Sequence, residues 1–233
     1  MSAIFKREFK AYFSTPIGYI VLAAFYFFLG MYFSMVFSYG SPEINMVIMS
    51  MVSVVIFIMP VITMRLMSED RRQKVDQALF TAPVSLTSVV LGKYLAALAV
   101  FALGFAPTII FEIIVLSYVQ VNLMSFIYSL LGMMLLGSAL IAIGMFISSL
   151  TESSVISAIL TLVINILVLY MSSFAEMISV KWISQIIEKL AFMNVFENFG
   201  ENVFAITDIV YFLSITAVFL FLCVRSLEKR RWA

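Results

Sequence analysis

The chain has 233 residues, of which 64% are hydrophobic and only 12% are charged, whereas a soluble domain carries about 25% charged residues. This composition excludes an ordinary soluble protein, and the 15% aromatic content excludes a disordered one. A formal net charge of +1 gives no global attraction for nucleic acid. The chain has no histidine and a single cysteine, Cys223, which excludes intrachain disulfides, Cys/His zinc sites and catalysis by an imidazole base.

Residues 1–13 predict an amphipathic helix lying on the cytoplasmic membrane surface. Its apolar face carries Phe5, Phe9, Tyr12 and Phe13, and its basic face carries Lys6, Arg7 and Lys10. A mechanically active elbow helix and a simple positively charged anchor both fit this pattern.

Six apolar stretches follow, each of a length suited to crossing a bilayer. They cover residues 17–39, 44–64, 89–119, 124–147, 155–172 and 207–224. The first is too long for a signal peptide, and no A-x-A-like cleavage site follows it. The third exceeds the hydrocarbon thickness, so it must tilt, kink at Pro107 or protrude. A polar turn over residues 148–154 separates the fourth and fifth spans.

Residues 173–206 combine acidic and basic side chains with an apolar background, which favours interfacial or re-entrant helices. Phe192, Phe196 and Phe199 recur at helical spacing, and Trp182 suits the headgroup zone. We therefore expect this aromatic face to contact lipid headgroups or a second membrane subunit.

Twelve of the 14 basic residues fall into three groups: before the first span, from Arg65 to Lys93 around the junction of the second and third spans, and after the sixth span. Six spans place all three groups on one side of the membrane. The positive-inside rule makes that side cytoplasmic, so both termini are expected inside.

The segment from Ser68 to Phe80 is the most densely charged part of the chain. Ser68 can cap a helix, and Glu69 and Asp70 favour a helix N-terminus, so a short cytoplasmic helix is predicted. A solvated loop whose charges only set topology is the alternative.

Residues 64–73, with 79–85 and 90–95, resemble the permease subunits of ABC-2-type transporters. Residues 6–9 and 14–20 resemble the gliding-motility-type branch in particular, and residues 147–153 resemble the family's turn between spans four and five. The resemblance covers the whole chain as a single transmembrane domain, residues 1–233. It implies an elbow helix, six membrane helices, a coupling helix over 68–80 that docks on an ATPase subunit, and re-entrant helices before the last span.

The resemblance also implies roles for individual residues. The residues expected to couple to the ATPase are Glu69, Asp70, Arg71, Arg72, Gln77, Leu79, Pro83, Thr151 and Glu152, and those of the elbow helix are Phe5, Arg7, Phe9 and Lys10. The chain departs from the family pattern at Lys74, Val75 and Gln77, where relatives commonly have Gly, Thr and Glu.

Two polar residues within spans are candidates for a substrate path. Glu112 is expected near the outer interface, where a solvated or paired structural role competes with a functional one. Asn165 is central in span five, where a bond to a neighbouring helix competes with substrate contact. No catalytic or metal-ligating set is predicted, and the Met-rich stretches indicate packing rather than a metal path.

No G-x-x-x-x-G-K-[ST] motif occurs, so ATP and Mg²⁺ are expected on a separate chain. The function predicted is the permease subunit of an ATP-driven ABC-2-type exporter in the cytoplasmic (inner) membrane of a bacterium. Its expected partners are two ABC ATPase subunits, a second copy or related permease, membrane lipid and an accessory exported or periplasmic subunit, with no nucleic acid. The alternatives are a related complex that transmits force or signals without transport, and an intramembrane enzyme, which no nucleophile motif supports.

Overall fold

A computed structural model describes residues 1–38, 40, 43–73, 85–119, 122–176, 182, 187, 191–201 and 205–231. Every regular element within these ranges is an α-helix, which confirms the prediction of an all-α protein. The helices are α1 (Ser2–Ser14), α2 (Pro16–Ser38), α3 (Ile44–Ser50), α4 (Val52–Thr63), α5 (Ser68–Arg72), α6 (Leu86–Leu116), α7 (Leu123–Leu150), α8 (Ser154–Leu169), α9 (Met171–Glu176), α10 (Phe192–Gly200) and α11 (Ile206–Arg231).

Five helical segments within the described ranges are long and apolar enough to cross a membrane. They are Pro16–Ser38, Val52–Arg72, Leu86–Leu116, Leu123–Leu150 and Ile206–Arg230. The 16-residue α8 is also apolar but rises only about 24 Å, so it is shorter than the predicted span 155–172. It ends at Leu169, and after Tyr170 the chain begins the separate short helix α9.

The predicted span 44–64 is interrupted at Met51, between α3 and α4. Serine hydroxyls on both sides of this point bond helix carbonyl oxygens: Ser50 Oγ donates to Met46 O at 2.8 Å and Ser53 Oγ to Ser50 O at 2.9 Å. Such bonds compete with the backbone ladder and bend helices. Pro60, in contrast, lies inside α4 and does not end it.

The polar turn predicted over residues 148–154 is shorter in the structure, because α7 continues through Leu150. Ser148 and Ser149 remain helical and are fully buried. Ser149 Oγ donates to Phe146 O at 2.7 Å, and Ser148 Oγ donates across to α4 at Met64 O, 3.0 Å away. Their hydroxyls are therefore satisfied inside the bundle, and the turn is confined to residues 151–153.

Helix α7 forms the centre of the bundle, and its glycines bring other helices close. A Cβ atom at Gly132 would lie 2.7 Å from the Phe199 side chain, and one at Gly137 would lie 2.2 Å from the Phe101 ring. Only glycine leaves room for these aromatic rings. Two of the largest fully buried side chains, Phe101 and Phe199, therefore pack directly onto the α7 backbone.

The aromatic face of α10 points into this core, which corrects the expectation that it meets lipid headgroups or a second membrane subunit. Phe192, Phe196 and Phe199 are all buried, and Phe199 packs on Gly132. The i, i+4, i+7 spacing indicates an apolar face but not what covers it, and here α7 does. Trp182, in contrast, is 65% exposed.

Pro107 lies inside the 31-residue helix α6 and cannot donate to Leu103 O, four residues earlier. That carbonyl instead accepts a hydrogen bond from Tyr26 Oη of α2, at 3.2 Å. The proline position is therefore joined to a neighbouring helix.

Candidate functional site

The charged residues singled out in the sequence meet at one end of the bundle, called here the charged end. It comprises α1, α5, the first turns of α6, the 151–153 turn and the last turns of α11. Contacts between these elements define it: Lys93 joins α6 to α1 and α5, Arg71 joins α5 to the turn, and the Arg230 guanidinium donates to Ser149 O.

Lys93 is the central cation of the charged end, and its side chain is only 1% exposed. Its Nζ lies 2.8 Å from Asp70 Oδ2 of α5 and 3.4 Å from Glu8 Oε1 of α1, and it donates to Leu66 O at 2.7 Å. The ammonium group has three hydrogens to donate, and three acceptors surround it. This Lys93 node links three segments that are distant in sequence.

A second link fastens the other side of α5. Arg71 Nε lies 2.7 Å from Glu152 Oε1, and Arg71 Nη1 donates to Leu150 O at 3.0 Å. Beside it, the Ser148 hydroxyl accepts hydrogen bonds from the backbone N–H groups of Met67 and Ser68. Helix α5 is thus held between α6 on one side and the α7–α8 turn on the other.

Between α1 and the α4–α5 segment lies a cavity of about 360 Å³. Its charged lining residues are Arg7, Glu8, Arg65, Glu69, Asp70 and Lys93, and its apolar wall includes Ile17, Val61 and Ile62. On this side a hydrogen bond joins α1 to α4: Tyr12 Oη donates to Ile62 O at 2.7 Å.

Tyr12 keeps its proton at this boundary. Burial, and secondly the neighbouring Glu8 carboxylate, raise the pKa of its hydroxyl above the ordinary tyrosine value. Its bond to the carbonyl oxygen of α4 therefore persists across the physiological pH range.

The structure brings together part of the predicted coupling set. Asp70, Arg71 and Glu152 form the ion pairs described above, and Glu69 accepts from Gln73 Nε2 at 3.2 Å and lies 3.8 Å from Arg65 Nε. Thr151 Oγ1 accepts from the Ser153 N–H at 3.2 Å within the turn. Arg72 is exposed. Gln77, Leu79 and Pro83, like the departures at Lys74 and Val75, lie outside the described residues.

The predicted elbow residues occupy the two faces of α1. Phe5 and Phe9 are half-buried and stack with ring centroids 5.8 Å apart. Lys10 is exposed, and Arg7 Nη2 lies 2.7 Å from Glu8 Oε1.

Two members of the site, Lys93 and Glu8, were missed as functional candidates. Lys93 entered the sequence argument as a topology charge and as one of the family-like residues 90–95, without a role of its own, although a basic residue within the apolar run that begins near Val89 is itself a signal of a buried, paired group. Glu8 gives no such signal, because its neighbours on α1 are basic and its partner lies on another helix.

The two residues proposed for a substrate path lie elsewhere and do not meet this site. Glu112 is 4% exposed, and its Oε1 has no hydrogen-bond partner among the described residues. Asn165 is fully buried, and neither its Nδ2 nor its Oδ1 has a partner within that part of the chain. The expected bond from Asn165 to a neighbouring helix is therefore not made there.

The all-helical membrane fold agrees with what comparison with known families finds. The family described as ABC-2 family transporter protein matches residues 37–225, about four fifths of the chain. No curated protein matches the sequence. The matched region includes the charged segment, the 151–153 turn and most of the membrane-length helices. The chain therefore belongs to the ABC-2 transporter family and is a multi-pass membrane permease subunit of an ABC transporter, not itself an ATPase.

Proposed function

We propose that this permease works in an ATP-driven exporter. In this proposal α5 is the first part of a coupling helix, through which a separate ATPase moves the permease. Two ATPase subunits, carrying ATP and Mg²⁺, would bind two permeases, each at the α5 segment of its charged end. The two permeases are two copies of this chain or one copy and a relative. The family match supports an ABC transporter, and the sequence supplies no phosphate-binding loop of its own.

The observation that carries this proposal is the fastening of α5 on both sides. The Lys93–Asp70 pair joins it to α6, and the Arg71–Glu152 pair joins it to the α7–α8 turn. Because Lys93 also contacts Glu8, a displacement of α5 would pull α1 as well. A push on one short helix would thus reach three membrane helices, α6, α7 and α8, together with the surface helix α1, as a rigid-body movement.

The orientation follows from the same charges. The basic groups of α1, α5 and α11 favour the cytoplasmic side by the positive-inside rule, so both termini and the docking surface would face the ATPase. The membrane proposed is the cytoplasmic membrane of a bacterium, crossed six times, with α8 as the fifth and shortest crossing.

Arg71 and Arg72 would have different tasks, although they are adjacent in sequence. Arg71 is occupied by Glu152 and Leu150 O within the chain, whereas Arg72 is exposed. Arg72 is therefore the better candidate for direct contact with an acidic group of the ATPase. The rest of the predicted coupling helix, residues 74–80, lies outside the described part of the chain.

The test is co-purification of the ATPase with a tagged Arg72→Glu permease. Like charges brought together at an interface cost several kcal/mol, so ATPase recovery should fall at least about tenfold. Lys229→Glu is the matched control, because it makes the same charge change at an exposed position of α11 near the same end of the bundle. Both variants should reach the membrane in equal amounts, since many basic residues still set the topology.

Equal ATPase recovery with the Arg72 and Lys229 variants, together with equal ATPase activity in the purified complex, would contradict docking at α5. The charges of this segment would then serve topology only.

The narrower placement in the gliding-motility-type branch stays a prediction from residues 6–20. The family match begins at residue 37 and does not include them. That placement predicts a complex that transmits force without transport. An accessory exported or periplasmic subunit would belong to that complex. Substrate-dependent ATP hydrolysis in liposomes would distinguish it from export.

A further inference from the structure

One face of α8 carries a line of buried polar side chains. Ser157, Thr161 and Asn165 follow each other at i, i+4 and i+8, so they lie on one side of the helix over about 12 Å. All three are 0% exposed. We call them the polar stripe.

The side-chain polar atoms of the polar stripe lack hydrogen-bond partners among the residues that the structure describes. Ser157 Oγ, Thr161 Oγ1 and both side-chain polar atoms of Asn165 are buried and unbonded within the described ranges. Hydroxyls on the neighbouring helices behave differently: Thr63 Oγ1 donates to Met59 O at 2.9 Å, and Ser149 Oγ donates to Phe146 O. Buried polar groups without partners are rare and cost free energy, so each requires an explanation.

The polar stripe faces a seam between α4, α7 and α8. At Gly144 of α7 an added Cβ would lie 2.4 Å from Thr63 Oγ1 of α4 and 3.0 Å from Thr161 Cγ2 of α8, so the three helices meet there. Towards the charged end the polar line continues to Ser154, whose Oγ is 3.1 Å from Ser68 Oγ of α5. The seam therefore leads from the proposed coupling helix into the membrane-spanning region.

The opposite face of α8 is apolar and exposed. It presents Val155, Ile159, Val163 and Leu167, which are 66%, 57%, 48% and 50% exposed. The polar side chains of the polar stripe thus all face the seam, and there they make no hydrogen bonds to the described residues.

We propose that the α4–α7–α8 seam opens to water during the transport cycle and that the polar stripe is a binding face for the hydrogen-bonding groups of the transported molecule. The ligand class is one that carries hydroxyl or amide groups. When no ligand is bound, water would bond the stripe in the opened seam. This inference rests on the proposed function, because movement of α5 would reach α8 through the Arg71–Glu152 pair and the Ser68–Ser154 contact. In the packed arrangement the side chains of the stripe make no hydrogen bond to any described residue, and opening gives them partners.

The test is cysteine labelling in the permease–ATPase complex in lipid nanodiscs, with the native cysteine removed by Cys223→Ala. Ser157→Cys and Thr161→Cys report on the stripe, and Ile159→Cys and Val163→Cys report on the outer face of the same helix. The probe is a small, charged, water-soluble methanethiosulfonate, applied without nucleotide, with ATP and with ATP plus vanadate. Because only a thiolate in contact with water attacks it, stripe cysteines should react at least about tenfold faster than outer-face cysteines in one of these states.

Stripe cysteines that react no faster than outer-face cysteines in every nucleotide state would overturn the inference. Ser157→Cys changes one atom, so it tests the site with little effect on folding. As a second arm, Thr161→Val removes one hydroxyl at nearly constant volume and should slow labelling of Ser157→Cys, since the seam then attracts less water. Unchanged labelling in that double variant would also count against the proposal.

The two proposals fail separately. If the ATPase does not co-purify with the unmodified permease, the proposed function fails. If it co-purifies and hydrolyses ATP while the stripe cysteines stay unreactive, only the present inference fails.

Discussion

Replacing Lys93 with methionine removes the cation of the Lys93 node and keeps most of the apolar stem. The side chain is 1% exposed, and its ammonium contacts Asp70, Glu8 and the Leu66 carbonyl oxygen. After the substitution two carboxylates face each other without the charge between them, and the carbonyl loses its donor. The expected result is a less stable permease in which α1 and α5 are loosened from α6.

The magnitude follows from how much water can replace the cation. Breaking a fully buried ion pair costs about 3–5 kcal/mol. The Glu8 and Asp70 side chains are 15% and 19% exposed, so water reaches them in part and lowers the penalty. We expect Lys93→Met to reduce the free energy of unfolding by about 2–3 kcal/mol.

The measurement is unfolding of the purified permease in mixed micelles by titration with a denaturing detergent. Lys229→Met is the matched control, because Lys229 is exposed, and it should leave the midpoint near that of the native chain. Asp70→Asn should partly restore the Lys93→Met variant, since it removes the carboxylate that loses its cation, whereas Glu8 keeps Arg7 as a partner. A midpoint for Lys93→Met equal to that of the control would refute the description of Lys93 as the link between the three segments.

Three further predictions concern packing, topology and pH. Gly137→Ala should destabilise the chain by about 1–3 kcal/mol in the same titration, because its Cβ would overlap an aromatic ring, whereas Gly30→Ala meets nothing within 4 Å and should be neutral or stabilising. In a background without the native cysteine, Glu43→Cys should react with an impermeant thiol reagent from outside whole cells and Gln73→Cys should not; the reverse pattern would contradict the orientation. Because the pKa of Tyr12 is raised in the folded chain, the unfolded chain loses this proton first and stability should fall above about pH 10. The phenylalanine variant should show a shallower fall, and identical slopes would contradict the assigned burial.

Hydropathy was sufficient to predict an all-helical membrane protein, because long charge-free apolar runs have few other stable states in a bilayer. It was insufficient for helix ends. Ser148 and Ser149 read as turn residues, yet their hydroxyls are satisfied inside the bundle and the helix continues past them. Phe192 and Phe196 were assigned to the surface because periodicity identifies an apolar face without identifying its neighbour, which is α7.

The site was predictable in its location but not in its connections. Dense charge marked residues 68–73, yet the partners of Asp70 and Arg71 lie on other helices, and no local pattern pairs them. The polar stripe was represented in the sequence argument only by Asn165. Its other two members are a serine and a threonine, which in most membrane helices bond their own backbone and so carry no signal of a site.

The position of Pro107 in α6 determines how large a bend of this helix would break the ion pairs of the Lys93 node. Pro107 lies fourteen residues beyond Lys93, and the carbonyl that it frees is held by Tyr26 of α2. A bend of about 10° at that position, acting over roughly 21 Å of helix, would displace the Lys93 end by about 4 Å. Ion pairs at 2.8 and 3.4 Å do not stretch by that amount and would separate. Small flexing of α6 would therefore leave the elbow helix and α5 engaged, whereas one bend at the proline would release both together.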